Sequence, residues 1–457
     1  MLVKNATVLV TMDGTRREIP GGGLFIRDGK IEKVGPTSEL PTEADEVLDL
    51  AGHVVLPGLV NVHHHLYQTL FRVVPGAQDG NVFNWLQTLY TMWARMTPDA
   101  LASATRTGLA ELALTGCTTV FDHSYVFPNA CRVDDQVEVA RDMGVRFHVS
   151  RGSMSLGQSK GGLPPDSCVE DEEAILKDSR RVIEAYHDPE PGSMTRIVLA
   201  PCSPFSVTPD LMRESAKMAR AYKVHLHTHL AESLDEERYT TKNFGVRPVG
   251  LMEQLDWVGN DVWFAHAVHI DDAEIGTFAR TGCGVAHCPS SNMRLASGIA
   301  PVWKYRKAGV RTGLGVDGSA SNDSSHMLAE ARMAMLLART QLSFNPGGPP
   351  AEKSFWMTAR DVLEMGTRGG AEVLGRDDIG SLEPGKCADF FAVRLDGIEY
   401  AGGLHDPVAA TVFCAPARAN YTVIDGRVIV DQGRITTLDL PRVIEDQNRI
   451  ARSLVDG

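Results

Sequence analysis

The chain has little that would tie it to a membrane, a polyanion or an oxidising compartment. No apolar run approaches the roughly 20 residues needed to span a bilayer. The opening stretch MLVKNATVLV reads as strand and lacks the apolar core of a leader peptide. Basic residues are outnumbered, 45 Lys and Arg against 58 Asp and Glu, for a formal net charge of −13. Such a surface repels nucleic acid, so no nucleic-acid partner is expected. The eight cysteines form no Cys-x-x-Cys pair and are scattered over 457 residues. They are expected to be reduced and mostly buried, in keeping with a cytoplasmic location. There is no repeat at solenoid period and no low-complexity tract. His-Glu-x-x-His is missing, which argues against a zincin protease, and serine-hydrolase chemistry is not expected either.

What is present is a pattern of two textures. Residues 1–57 and 376–440 alternate short β-runs with turns, as at Ile26-Arg27-Asp28-Gly29-Lys30-Ile31 and Val423-Ile424-Asp425-Gly426-Arg427-Val428. Neither end holds enough apolar residues for its own core, so both are expected to pair as one composite β-sandwich. Residues 441–457 read as a C-terminal tail. Between them, residues 58–375 alternate apolar strand candidates with amphipathic helices. The strands expected are Val54–His64, Thr118–His123, Val145–Arg151, Ile197–Cys202, Val224–His229, Val262–Ala267, Gly284–Cys288 and Val310–Val316. Helices are expected at Pro98–Thr115, Glu170–Tyr186 and Pro209–Tyr222. Eight strands alternating with helices make an α/β fold, a (β/α)8 TIM-like barrel, whose chemistry sits at the C-terminal strand ends. Ser343–Glu352 and Gly157–Asp166 read as surface loops, and the glycines of the second would suit a flap.

Four runs place metal-ligating side chains at those ends. In Asn61-Val62-His63-His64-His65, alternation puts His63 and His65 on one face and His64 on the other. Among His225, His227 and His229, the last is at the mouth. The other two suit layer packing or hydrogen bonding behind the site. Asp317 ends the eighth strand, where a carboxylate can bind a cation and accept a proton from water. His266 ends the sixth and can polarise the bond under attack; His269 reads as structural. Spacing alone leaves Glu232 either a proton carrier or a solvated loop acid beside Asp235, Glu236 and Glu237. Three imidazoles, a carboxylate, a spare acid and a spare imidazole are the parts for activating water at one divalent metal, hence a hydrolase. Gly313–Gly318 spells the dinucleotide fingerprint but opens no apolar helix. Gly380–Cys387 has Cys where a phosphate loop needs Ser or Thr; both are set aside.

With these runs in view the chain resembles the amidohydrolase superfamily, in its nucleobase and triazine deaminase branch, over nearly its whole length. The carrying motifs include Pro57-Gly58-Leu59-Val60-Asn61, His63-His64-His65-Leu66-Tyr67-Gln68, Arg151-Gly152-Ser153-Met154-Ser155 and His287-Cys288-Pro289-Ser290-Ser291-Asn292. Within that branch it is most similar to the 8-oxoguanine deaminases. The resemblance implies one zinc ion per subunit on His63, His65, His229 and Asp317, with Glu232, His266 and Asp317 catalytic. It also implies a small heterocyclic substrate and usually a homo-oligomer. Gln68, Trp85, Arg151 and Cys202 are candidates for reading the substrate. Hydroxytriazine N-alkylaminohydrolases, isocytosine or guanine-like deaminases, and a catalytically silent scaffold stand as alternatives. The cytidine-deaminase type needs Pro-Cys-x-x-Cys, and Pro201-Cys202 is followed by Ser-Pro-Phe.

Overall fold

The computed structural model describes residues 1–414 and 417–457. Eight parallel strands run in sequence order: Leu59–Asn61, Cys117–Asp122, Arg146–Ser153, Thr195–Pro201, His225–Leu230, Val262–His266, Gly284–His287 and Arg311–Leu314. The eighth meets the first through Val62 N–H to Leu314 O (3.0 Å) and Asp317 N–H to His63 O (3.0 Å). Val316 N–H also donates to the Asn61 side chain at 3.0 Å. These bonds bring the two edges together, and helices surround the strands, as in a (β/α)8 barrel. Every residue of five of these eight strands is buried, the two-sided burial expected of parallel strands between helices and a filled lumen.

The three helices expected from the sequence are present as Pro98–Leu114, Glu172–Tyr186 and Pro209–Tyr222. The first and third start with Thr before Pro: Thr97 accepts from Ala100 N–H and Thr208 from Leu211 N–H. Asp171 caps the second, so it starts two residues later than Glu170.

Both termini join one nine-stranded sheet, in which His53–Pro57 lies between Leu2–Val10 and Phe390–Arg394. The run Val54–His64, expected as one strand, is therefore two strands in two sheets. Gly58 is the break: a Cβ there would stand 2.0 Å from the Thr118 hydroxyl. Only a residue without a side chain lets the backbone cross so close to the barrel. The sheet is fastened to the barrel by buried Arg146, which donates to Asp389 at 2.9 and 3.1 Å and to Gly192 O and Ser193 O. Residues 441–457, set apart above as a tail, are mostly helix, Leu440–Val455. Gln447 of that helix accepts from Ser103 (2.8 Å) and donates to Thr69 (3.1 Å). Among the described residues no helix is long and apolar enough to cross a membrane.

Candidate active site

The strand ends throw their side chains into one buried cage. Strand geometry delivers His63, His65 and His229, whereas Asp317 and His266 come from a left-handed backbone, with φ of 62° and 70°. The conformation is uncommon outside glycine and marks places where the surroundings over-determine the backbone. It turns each side chain inward just past the last ladder bond. His63 Nε2 and His65 Nε2 each lie 3.2 Å from Asp317 Oδ1. His65 Nε2 is 3.1 Å from His229 Nε2.

The hydrogen bonds behind these rings fix their tautomers. His65 Nδ1 donates to His123 O at 2.6 Å and His229 Nδ1 to Cys202 O at 2.6 Å. His227 Nδ1 donates to Trp263 O at 3.0 Å, so its Nε2 must accept the Nδ1–H of His63 at 2.9 Å. Each of the rings of His63, His65 and His229 thus turns a bare Nε2 lone pair inward, those of His63 and His65 toward Asp317 Oδ1 and that of His229 toward His65 Nε2. Burial pushes His63 down to about 3, outweighing the pull of Asp317, so it stays neutral. Neutral lone pairs and a carboxylate at 3.1–3.2 Å repel one another unless a cation lies between them. His63 Nε2 makes no hydrogen bond at all. Three imidazoles and a carboxylate are the donors a divalent transition metal takes, and the residues fit such an ion.

Around the cage are further titratable groups. His266 Nδ1 faces Asn292 Oδ1 at 2.8 Å, which turns its Nε2 toward Glu232 Oε2 (3.7 Å) and Asp317 Oδ2 (3.9 Å). Burial raises the Glu232 carboxyl, with Asp317 adding to it and His266 opposing. Ser297 Oγ donates to its other oxygen at 3.2 Å. Glu236, one turn on, accepts the N–H groups of Ala231 (2.8 Å) and Glu232 (3.2 Å), and burial pushes it up to about 8.

A cavity of about 560 Å³, counting its open mouth, rises from this floor. Trp85, Leu86, Tyr90, Tyr125, Phe205 and Leu295 wall it with flat or apolar surface. Of the four residues expected to read the substrate, Trp85 and Cys202 line the cavity. Gln68 lies behind it against the Asp317 loop, where a Cβ on Gly318 would meet its Oε1 at 1.9 Å, and its buried amide makes no well-formed hydrogen bond. Arg151 is not at the cavity. Its guanidinium is held by Asp178 (2.6 Å), Glu170 (2.8 and 3.2 Å) and Gly152 O (2.6 Å) under the ring of Phe127, which occupies four of its five N–H groups away from the cavity. No residue of the Gly157–Asp166 loop lines the cavity.

Two residues were missed. His123, at the end of the second strand, stacks on His229 with ring centroids 4.7 Å apart and gives its Nε2–H to Ala200 O at 2.9 Å. Its Nδ1 is buried without a partner, among atoms that could hold a metal with His63, His65 and His229. The strand-end rule that found His266 and Asp317 would have found it. Asn292 had no such signal, since only the tertiary approach of Pro289–Arg294 to His266 gives it a role. Gly157–Gly161 spells Gly-x-Ser-x-Gly once. There the segment is a short turn, Gln158–Lys160, and Ser159 Oγ donates to Asp166 at 2.9 Å, so no nucleophile elbow forms.

A (β/α)8 barrel with buried imidazoles and a carboxylate at the C-terminal strand ends defines a metal-dependent hydrolase. Comparison with known proteins gives the class its family. The amidohydrolase family matches residues 54–429, and the chain belongs to it, as an enzyme hydrolysing C–N bonds. It is 44% identical to the 8-oxoguanine deaminase of Pseudomonas aeruginosa PAO1, over 100% of this chain and 99% of that one. It is 36% identical to the hydroxydechloroatrazine ethylaminohydrolase of Pseudomonas sp. strain ADP, over 98% and 94%. The crystal structure of atrazine chlorohydrolase TrzN from Arthrobacter aurescens TC1, complexed with zinc, superposes with a TM-score of 0.93 at 35% identity, covering 98% of this chain and 99% of that one.

Proposed function

We propose that the protein is a zinc-dependent hydrolytic deaminase of an aminated purine-like ring, converting 8-oxoguanine to uric acid and ammonia. The observation that carries the reading is the pairing of a convergent donor set, His63, His65, His229 and Asp317, with a buried carboxyl at Glu232 beside it, which burial shifts upward. The likeness to the Pseudomonas aeruginosa deaminase supports the choice of ring.

Those four side chains would hold the ion, whose contribution is to make water acidic enough to serve as a nucleophile near neutral pH. Asp317 accepts the proton that the attacking water sheds; Ser321 Oγ, 3.1 Å from its Oδ2, holds that oxygen in place. Glu232 carries a proton to the ring nitrogen next to the carbon under attack, C2 in 8-oxoguanine, and so drains charge from the ring. His266, fixed by Asn292, stabilises the oxygen of the tetrahedral intermediate. The leaving amine takes a proton and departs as ammonia. Trp85, Tyr90 and Tyr125 offer flat faces to a planar bicycle and exclude water from it.

The test is ammonia release from zinc-loaded protein given 8-oxoguanine, guanine, isocytosine, ammeline or an N-alkylamino-hydroxytriazine. Uric acid is followed by absorbance and alkylamine separately. Selective turnover of 8-oxoguanine is the expected result. Alkylamine release alone would move the enzyme to triazine chemistry, the second reading, which the ethylaminohydrolase relative favours. Stoichiometric zinc with no turnover on any of the five sinks the substrate assignment.

A further inference from the structure

At the opposite, N-terminal mouth of the barrel lies a second cavity, of about 570 Å³ counting its opening. Its polar wall is built from strand starts and the turns before them: His148 of the third strand, Arg196 of the fourth, and Lys223 and His225 at the fifth, with His187 from the preceding loop. In a chain of net charge −13, none of its lining residues is acidic.

The donors there are left over. Arg376 gives an N–H to His148 Nε2 at 3.2 Å, so the proton of that buried ring sits on Nδ1, where it meets no acceptor among the described residues. Ile197 N–H donates to His187 Nδ1 at 3.1 Å, which puts the His187 proton on Nε2, again with no acceptor among the described residues. Arg196 uses Nε on Ser193 and one terminal nitrogen on Pro189 O, and among the described residues its other terminal nitrogen has no acceptor. Lys223 makes no ion pair among the described residues, and neither nitrogen of His225 bonds to protein. Behind them Arg376 and Arg146 add positive charge. Burial and that surrounding charge push Arg196 down to about 10, despite Asp378 and Asp188 nearby. Unlike Arg146 and Arg376, each clamped on an aspartate, Arg196 has no carboxylate of its own.

The structure assigns a binding site for a phosphate-sized oxyanion to this cavity, with Arg196 and Lys223 supplying charge and the ring N–H groups of His148 and His187 supplying direction. Cationic and N–H donors converging without an internal acceptor are what an oxyanion needs, and the bonds would be charge-assisted. The site lies at the far end of the barrel from the catalytic cage, so its occupant is not the substrate.

The experiment is calorimetric titration of inorganic phosphate, and separately a nucleoside monophosphate, into zinc-loaded protein, with chloride at matched ionic strength as control. One saturable site is expected. It should weaken about tenfold or more in Lys223→Asn and in Arg196→Gln, a loss of ~1.4 kcal/mol. Asn tolerates the left-handed backbone of Lys223 (φ 58°), so that variant folds even if Arg196→Gln does not. Glu232→Gln should bind phosphate like the parent. Equal binding of the monophosphate identifies a phosphate end-group as the ligand and preference for phosphate a free oxyanion; both support the site. No saturation by about 10 mM, unchanged affinity in Lys223→Asn, or affinity lost in Glu232→Gln would overturn it.

Discussion

His227 never reaches the metal cage, yet it decides which nitrogen His63 offers. Its Nε2 accepts the His63 Nδ1–H at 2.9 Å because its own Nδ1 is committed to Trp263 O at 3.0 Å. Replace it with Phe and the shape is nearly kept, between Phe121 and Trp263, whose rings lie 4.8 and 4.7 Å away. The acceptor is lost. His63 can then keep a buried, unsatisfied N–H, at a cost of about 1–3 kcal/mol. Otherwise it shifts the proton to Nε2, where it points at Asp317 and competes with the cation. Removing such an outer partner typically lowers metal affinity 10–100-fold, or about 1.4–2.7 kcal/mol. Zinc competition with a chromophoric chelator should show that loss in His227→Phe. Turnover at saturating zinc should stay within a few-fold, since no reacting atom is touched. His227→Gln, whose side-chain oxygen can accept from His63, should recover part of the affinity. Zinc binding within twofold of the parent in His227→Phe would refute the tautomer argument outright.

Glu232→Gln should keep stoichiometric zinc and lose about 10²–10⁴-fold in kcat, the usual worth of a proton carrier; a near-parental rate removes it from that role. Arg151→Met should leave KM unchanged while lowering the melting temperature. The expected loss is on the order of 2 kcal/mol, less than for a fully buried pair because Asp178 and Glu170 reach solvent; a large KM effect at unchanged stability would return Arg151 to the substrate. Burial and nearby Arg311 hold His225 at about 4, below its ordinary 6.5. Its neutral form is favoured by folding, so the stability it lends is full above pH 6.5 and drains away as pH falls toward 4. Relative to His225→Gln, the parent should lose up to about 3 kcal/mol over that interval. Urea midpoints in phosphate-free buffer test this, and a pH-independent difference contradicts it.

The parts of the site that rest on local rules were legible in the sequence. Two-residue alternation paired His63 with His65, and the strand-end rule placed His229, His266 and Asp317 without knowledge of the fold. What remained hidden depends on contacts between distant segments. Nothing in the local sequence shows that Arg151, set in a motif rich in small polar residues, meets Asp178 on a neighbouring helix and Glu170 in the loop before it, so its charge looks available. Nor does local pattern show that Val54–Pro57 and Leu59–Asn61 belong to different sheets, because both are continuously apolar; only the crowding of Gly58 by Thr118 separates them. His123 is the exception among the residues seen only in the structure, for the strand-end rule covers it.

The seam between the two ends of the chain has a consequence for biosynthesis. His53–Pro57 pairs with Phe390–Arg394, and the clamp of Arg146 closes on Asp389. At ~5–20 residues added per second, the N-terminal strand waits roughly 17–70 s on the ribosome for its partner. During that wait its partner-facing edge is unpaired, an open template for other chains. The whole barrel is synthesised in the interval, so nascent chains stalled between about residues 60 and 390 should be the aggregation-prone species, and chaperones should be needed most there.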